Sequence, residues 1–325
     1  MKKLITWVLT LTLFVSCLMV LSGCSAKENS KQDQEPQNTE GEAQAETTDK
    51  KNVYIITPYL SSVTTKEMVN YMQSSIEEID GKVTVIDTEG ETATLASRVE
   101  DAVTAKADAI VIVSVDPSYC EEQIKEASDA GIPVFGCDAG YLDTMQMNAT
   151  SDNYEIGKLI TEYLFEKINH TGNIIVLTDR THPGVGKRTA ALDDVLKENP
   201  DIKVIAEEHV VVPGPIESGK SSMESLILAN PDPDSITAVW CGWDEPGIGA
   251  AQALSEAERE GIVITGVDAN EQAVAMIEAG APSFIATVKQ DFPAMAKMVV
   301  DEMTKVFNGE AADKGEYYAE ATIID

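Results

Sequence analysis

From Val53 onward, short runs of consecutive apolar residues alternate with stretches in which apolar residues recur every three or four positions. The runs are Val53–Ile56, Val83–Ile86, Ala109–Val113, Pro133–Phe135, Ile174–Leu177, Val204–Ala206, Ala238–Trp240, Ile262–Ile264 and Phe284–Val288. They are rich in β-branched residues and carry no polar alternation, which predicts strands buried on both faces, as in a parallel sheet. Between them, Lys66 to Ile79 places Met68, Val69, Met72, Ile76 and Ile79 on one helical face, and Met295 to Val306 repeats the pattern. Alternating strands and helices predict an α/β, doubly wound fold. Two such units follow one another, from about 53 to 150 and from about 155 to 285, with no Pro-rich or Ser-rich linker between them. That junction predicts two parallel-sheet lobes joined by a hinge rather than two independent beads. The expected division is residues 53–152 plus about 291–313 for the N-terminal lobe, and 153–290 plus about 314–325 for the C-terminal lobe.

The first 52 residues break this pattern. Lys2 and Lys3 precede an apolar run that ends in Leu21-Ser22-Gly23-Cys24. A basic start, an apolar stretch and small residues before a cleavage point predict a signal peptide over 1–23. Thr10, Thr12, Ser16 and Ser22 within the run argue against a retained membrane span. The Leu-Ser-Gly-Cys sequence resembles the lipobox of bacterial lipoproteins, which implies that Cys24 is acylated and anchors the chain on the outer face of the cell membrane. Residues 24–52 hold no large apolar side chain and predict a flexible tether.

Charge narrows the function further. The net charge is −31 and the pI about 4.3. Such a surface repels nucleic acid and anionic lipid headgroups, so neither is an expected partner, and the anchor alone holds the membrane. Cys120, Cys137 and Cys241 lie in or beside apolar runs and read as small buried hydrophobes, with no Cys-x-x-Cys pair. His170, His182 and His209 stand far apart without companion ligands, and His182, before Pro183-Gly184, reads as a surface turn residue. There is no Gly-x-Ser-x-Gly, and Gly184 to Thr189 lacks the phosphate-loop spacing because Arg188 follows Lys187. No metal, cofactor or catalytic residue is expected.

Open α/β sheets bind ligands at the carboxyl ends of their strands. The polar residues that follow the predicted strands are Asp138, then Asp179, Arg180 and Arg188, then Trp243 and Asp244, then Asp268, and last Gln290. A lone Asp there commonly caps a helix. Carboxylates, a guanidinium, an amide and an indole gathered at strand ends are not explained by capping alone and point to one cleft.

Several stretches carry a family resemblance. They are Ala130–Asp138, Ser151–Gly157, Ala238–Ala250, Ile264–Ala269 and Ile285–Asp291, in family order over almost all of 53–325. On these residues the chain is similar to bacterial solute-binding lipoproteins of the ribose/galactose-binding, periplasmic-binding type 1 family. The resemblance implies two lobes with three hinge crossings that close on a small sugar. It implies that Asp138 and Asp268 accept from sugar hydroxyls, that Arg188 donates, and that Gln290 sits on the hinge side. The chain departs from the pattern in three places. Ala139 stands where many members carry Arg, Trp243 where they carry Asn, and Tyr59–Thr65 replaces a loop with Asn and paired Phe. Stacking is therefore expected from Trp243 and Tyr59, with Thr65 beside them, whereas Trp240 is expected in the core. Ribose is not singled out over another pentose, a hexose or a polyol. The expected function is a monomeric, lipid-anchored binding component that hands its ligand to an ABC permease. The alternatives are presentation of the ligand to a sensor kinase or chemoreceptor, and an extracellular enzyme on the same framework.

Overall fold

The computed structural model describes residues 50–280 and 283–325. Cys24 and the leader lie outside the described residues. In chain order the elements are β1 (Asn52–Thr57), α1 (Val63–Glu78), β2 (Lys82–Asp87), α2 (Leu95–Thr104), β3 (Ala109–Val113), α3 (Glu121–Asp129), β4 (Val134–Cys137) and β5 (Met147–Ser151). There follow α4 (Asn153–Lys167), β6 (Gly172–Thr178), α5 (Pro183–Glu198), β7 (Ile202–His209), α6 (Pro215–Ala229), β8 (Ala238–Cys241) and α7 (Asp244–Glu256). The chain ends with β9 (Val263–Val267), α8 (Glu271–Glu278), β10 (Phe284–Gln290), α9 (Phe292–Phe307), β11 (Gly315–Ala319) and β12 (Ala321–Ile324).

These strands form two six-stranded sheets, ordered β11-β5-β4-β3-β1-β2 and β12-β10-β9-β8-β6-β7. All pairings are parallel except β10 with β12. In β3 all five residues are buried. Val111 and Val113 face a core with α1 and α9, while Ile110 and Ile112 face one with α2 and α3. Covering by helices on both sides is why these strands read as unbroken apolar runs. In the second lobe Trp240 is fully buried and its Nε1–H donates to Thr161 Oγ1 at 2.9 Å. Cys120, Cys137 and Cys241 are buried and free, and burial pushes their thiols up.

The chain passes between lobes three times, at β5 to α4, β10 to α9, and β11 to β12. At the first two, an Asp turns the strand into a helix by capping it. Asp152 accepts from Glu155 N–H at 3.1 Å, and Asp291 from Ala294 N–H at 3.0 Å. α9 packs back on α1 through Met295, Val299 and Met303. The third passage corrects the expected boundary. β11 runs beside β5, so residues 315–319 belong to the first sheet and only β12 returns to the second. Glu316, Tyr317 and Tyr318 lie on an edge strand with partial exposure, so no apolar run marked it. β5 also escaped the pattern, because its polar residues are buried and paired. Asn148 Nδ2 donates to Ala139 O at 2.9 Å, and Thr150 Oγ1 to Asp138 Oδ1 at 2.8 Å.

Candidate functional site

The carboxyl ends of both sheets supply the walls of one cavity. The first lobe contributes Tyr59 after β1, Ser62, Thr64 and Thr65 at the start of α1, Ser114 after β3 and Asp138 after β4. The second contributes Asp179 after β6, His182, Val185 and Arg188 at and within the start of α5, Val212, Trp243 after β8 and Asp268 after β9. The space between these walls is about 470 Å³ when the open mouth is counted. Ser114, Asp138 and Asp268 have φ of 55°, 49° and 112°. Non-glycine residues seldom hold this left-handed region, and it recurs where a side chain must be aimed at a ligand.

Arg188 organises the floor. It is 2% exposed. Its Nε–H donates to Asn153 Oδ1 at 2.7 Å and its Nη1–H to Gly242 O at 2.8 Å, with Asp268 Oδ1 3.6 Å away. Asn153 Nδ2 donates to Thr150 Oγ1 at 3.1 Å, and Thr150 donates to Asp138. Gln290 Nε2 donates to Asp268 Oδ1 at 2.8 Å. A continuous hydrogen-bonded chain therefore runs from Asp138 in one lobe through the first hinge crossing to Arg188 in the other, and Arg188 and Gln290 together flank Asp268. α5 comes close enough to supply Arg188 because Gly157 on α4 has no side chain; a Cβ there would strike the Arg188 backbone.

Burial shapes the charges. It pushes Asp268 up to about 7, against the opposing pull of Arg188, and Asp138 adds repulsion. Beneath it Asp244 is fully buried and raised well above the ordinary range by the same desolvation and by Asp268, although Thr287 Oγ1 and Asn270 N–H donate to it at 2.8 and 2.7 Å. Burial first, then Asp179, pushes the Tyr59 phenol up to about 12. His182 is not a surface turn residue, which corrects the sequence expectation. It caps α5, with Nδ1 accepting from Gly184 and Val185 N–H at 3.2 and 3.3 Å, and burial holds the ring neutral. Its centroid is 6.2 Å from that of Tyr59 across the cleft.

The lobes touch around the cavity. Ser62 Oγ donates to Glu245 Oε2 at 2.5 Å and Val63 N–H to Glu245 Oε1 at 3.1 Å, so a carboxylate on α7 sits at the N-terminus of α1. Lys187 Nζ meets Glu316 Oε1 at 3.0 Å. These contacts join the two lobes beside the cavity. Ser62→Ala leaves the buried Glu245 carboxylate one donor short. It is expected to weaken ligand affinity about tenfold, the effect of an under-satisfied buried charge, as read by calorimetric titration.

Of the residues singled out from the sequence, Tyr59, Thr65, Asp138, Arg188, Trp243 and Asp268 line this one cavity. Gln290 stands behind Asp268 rather than in the cavity wall, and its Oε1 has no partner among the described residues. Ser62, Thr64, Ser114, His182, Val185 and Val212 were not foreseen as wall residues. For His182 the signal was present as a side-chain acceptor directly before Pro-Gly, a helix start. Ser114 and Val212 carried none. Among the described residues no His, Cys, Asp or Glu cluster has metal-binding geometry, and no helix is long and apolar enough to cross a membrane.

A sequence profile described as "Periplasmic binding protein domain" matches residues 53–311. The xylitol-binding protein of Mycolicibacterium smegmatis is 30% identical over 61% of this chain and 56% of its own length. The D-apiose import binding protein of Actinobacillus succinogenes is 24% identical over 84% and 87%. The crystal structure of an ABC transporter solute-binding protein from Agrobacterium vitis with bound allitol is 26% identical, with a TM-score of 0.78, covering 85% of this chain and 95% of that one.

Proposed function

Because this chain belongs to the periplasmic binding protein family, whose profile spans residues 53–311, we propose that it captures a small sugar or sugar-like polyol by closure of its two lobes. The observation that carries this reading is the composition of the interlobe cavity. Donors, carboxylates and two aromatic side chains reach it from both lobes, so one ligand bonds to both at once. A ligand bridging both lobes stabilises the closed form by differential affinity. The chain is a binding protein and not an enzyme. The relatives that bind xylitol, D-apiose and allitol by their names support a ligand among small polyhydroxylated compounds. Delivery to an ABC permease and attachment through a lipid on Cys24 complete the proposal. An anchored capture protein stays at high effective concentration beside its permease.

Trp243 tests the reading. It is 7% exposed and lines the cavity. Trp243→Ala removes the broadest apolar surface available to a sugar ring. A saturating ligand that stabilises the wild type by about 2.7 kcal/mol at one hundred times its dissociation constant is expected to give the variant almost none. Thermal unfolding with and without ligand reads this difference whatever the variant's baseline; an undiminished shift removes Trp243 from the site.

A further inference from the structure

The cavity wall changes chemistry where the core of the second lobe reaches its surface. Val185, Val212 and Trp243 all line the cavity, and all three pack in one hydrophobic cluster of that lobe. Val185 Cγ1 lies against the end of β8, where Gly242 has no side chain; a Cβ there would come within 2.6 Å of it. Trp243 is the next residue in the chain. Val212 is met from the other lobe. A Cβ on Gly90, in the loop after β2, would come within 2.9 Å of Val212 O and of Pro213 Cδ. Gly90 also holds φ of 88°, so its lack of a side chain and its left-handed backbone both serve this contact. The two lobes therefore meet at Val212, beside the wall it contributes.

This part of the wall has little to offer a hydroxyl. Neither valine has a hydrogen-bonding side-chain atom, and an indole has one N–H donor and no acceptor. The backbone nearby is already engaged. Val185 N–H donates to His182 Nδ1 at 3.3 Å, and Gly242 O accepts from Arg188 Nη1–H at 2.8 Å. A hydroxyl pressed against these residues gives up its water and gains no partner, which costs free energy. A methyl or methylene in the same place gains burial. Elsewhere in the wall, Ser114, Thr64, Thr65, Asp138, Asp268 and Arg188 supply donors and acceptors for hydroxyls.

We propose, building on the polyol-capture reading, that the preferred ligand is a sugar or polyol bearing an apolar group in place of one hydroxyl or hydroxymethyl, such as a terminal methyl, seated against Val185, Val212 and Trp243. Its remaining hydroxyls face the polar part of the wall. The valines then act as specificity-determining residues, because they select against the fully hydroxylated parent compound.

Calorimetric titration with matched pairs tests this: L-fucose against L-galactose, L-rhamnose against L-mannose, 5-deoxy-D-ribose against D-ribose, and L-fucitol against galactitol. In at least one pair the deoxy member is expected to bind about tenfold tighter or more, the range one such group commands in an apolar pocket. Val212→Thr keeps the shape of the side chain and adds a hydroxyl, and it is expected to narrow that ratio about threefold or more. Parent compounds that bind as tightly as their deoxy partners, or tighter, overturn the apolar seat and leave polyol capture standing. A ratio that both Val212→Thr and Val185→Thr leave unchanged overturns it as well. Binding by no member of any pair, in a protein that remains folded, overturns both.

Discussion

Asp268→Asn raises the melting temperature of the ligand-free protein at pH 8 and weakens ligand capture. The two effects have one cause. Burial holds the folded-state carboxyl at about 7, against an ordinary value of 3.8. Between those values the folded protein binds more protons than the unfolded chain, so stability falls as pH rises through the window, and above 7 the whole penalty is present. Each unit corresponds to about 1.4 kcal/mol, which makes roughly 4 kcal/mol the upper bound. The loss of a carboxylate beside Arg188, 3.6 Å away, offsets part of it. The net gain expected is a few degrees. Calorimetric unfolding of both proteins at pH 8 and at pH 5 checks the sign, since the advantage of the variant must shrink at the lower pH. A lower melting temperature at pH 8 contradicts the account. Binding moves the other way, because Asn replaces charge-assisted hydrogen bonds to ligand hydroxyls with weaker ones.

Arg188→Met has the opposite effect on stability. The substitution preserves much of the apolar volume but strands Asn153 Oδ1 and Gly242 O, and it removes the one cation near Asp244 and Asp268. Removing one partner from a buried charged pair costs about 3–5 kcal/mol. At roughly 2–4 °C per kcal/mol for a protein of this size, the melting temperature should fall by about 10 °C. Because Arg188 bonds to the first hinge crossing, ligand affinity should be lost as well. Asp268→Asn in the Arg188→Met background should restore part of the stability, and a double-mutant cycle measures that coupling. Additive effects would show that the two side chains do not interact.

How much of this was legible in the sequence depended on where each residue's partners lie. Strands buried on both faces announced themselves as apolar runs, so β1, β3, β6 and β8 stood out. β5 did not, because Asn148 and Thr150 are buried by virtue of partners at Ala139 and Asp138 that no local pattern reveals. β11 did not, because an edge strand of Glu and Tyr resembles a loop. Asp138 and Asp268 were found by the rule that ligands meet strand ends. Yet the rule does not say that Glu245 reaches from α7 to the N-terminus of α1, some 180 residues earlier in the chain. His182 read as a surface turn residue because its neighbours across the cleft, Tyr59 and Asp138, come from the other lobe. The cavity wall is thus a tertiary property, and only those members that also mark a strand end were visible beforehand.

The acidic surface and the acidic cavity have different meanings. Many other carboxylates lie on exposed helix faces, some in short-range pairs such as Lys125 with Asp129 and Lys297 with Asp301, which contribute little to stability. Asp138, Asp179 and Asp268 differ because they are withdrawn from water and aimed at one space. At Asp268 that burial outweighs the pull of Arg188.

The central claim is that a small polyhydroxylated compound bridges the two lobes. It is tested most directly by thermal unfolding across a library of pentoses, hexoses, polyols, their deoxy derivatives and nucleosides. The account predicts that at least one sugar-like compound raises the melting temperature by several degrees, that Trp243→Ala erases the shift, and that the compound is recovered chemically unchanged. A library in which no sugar, polyol or deoxy derivative shifts the wild type, or in which the stabilising compound is recovered converted, would contradict it.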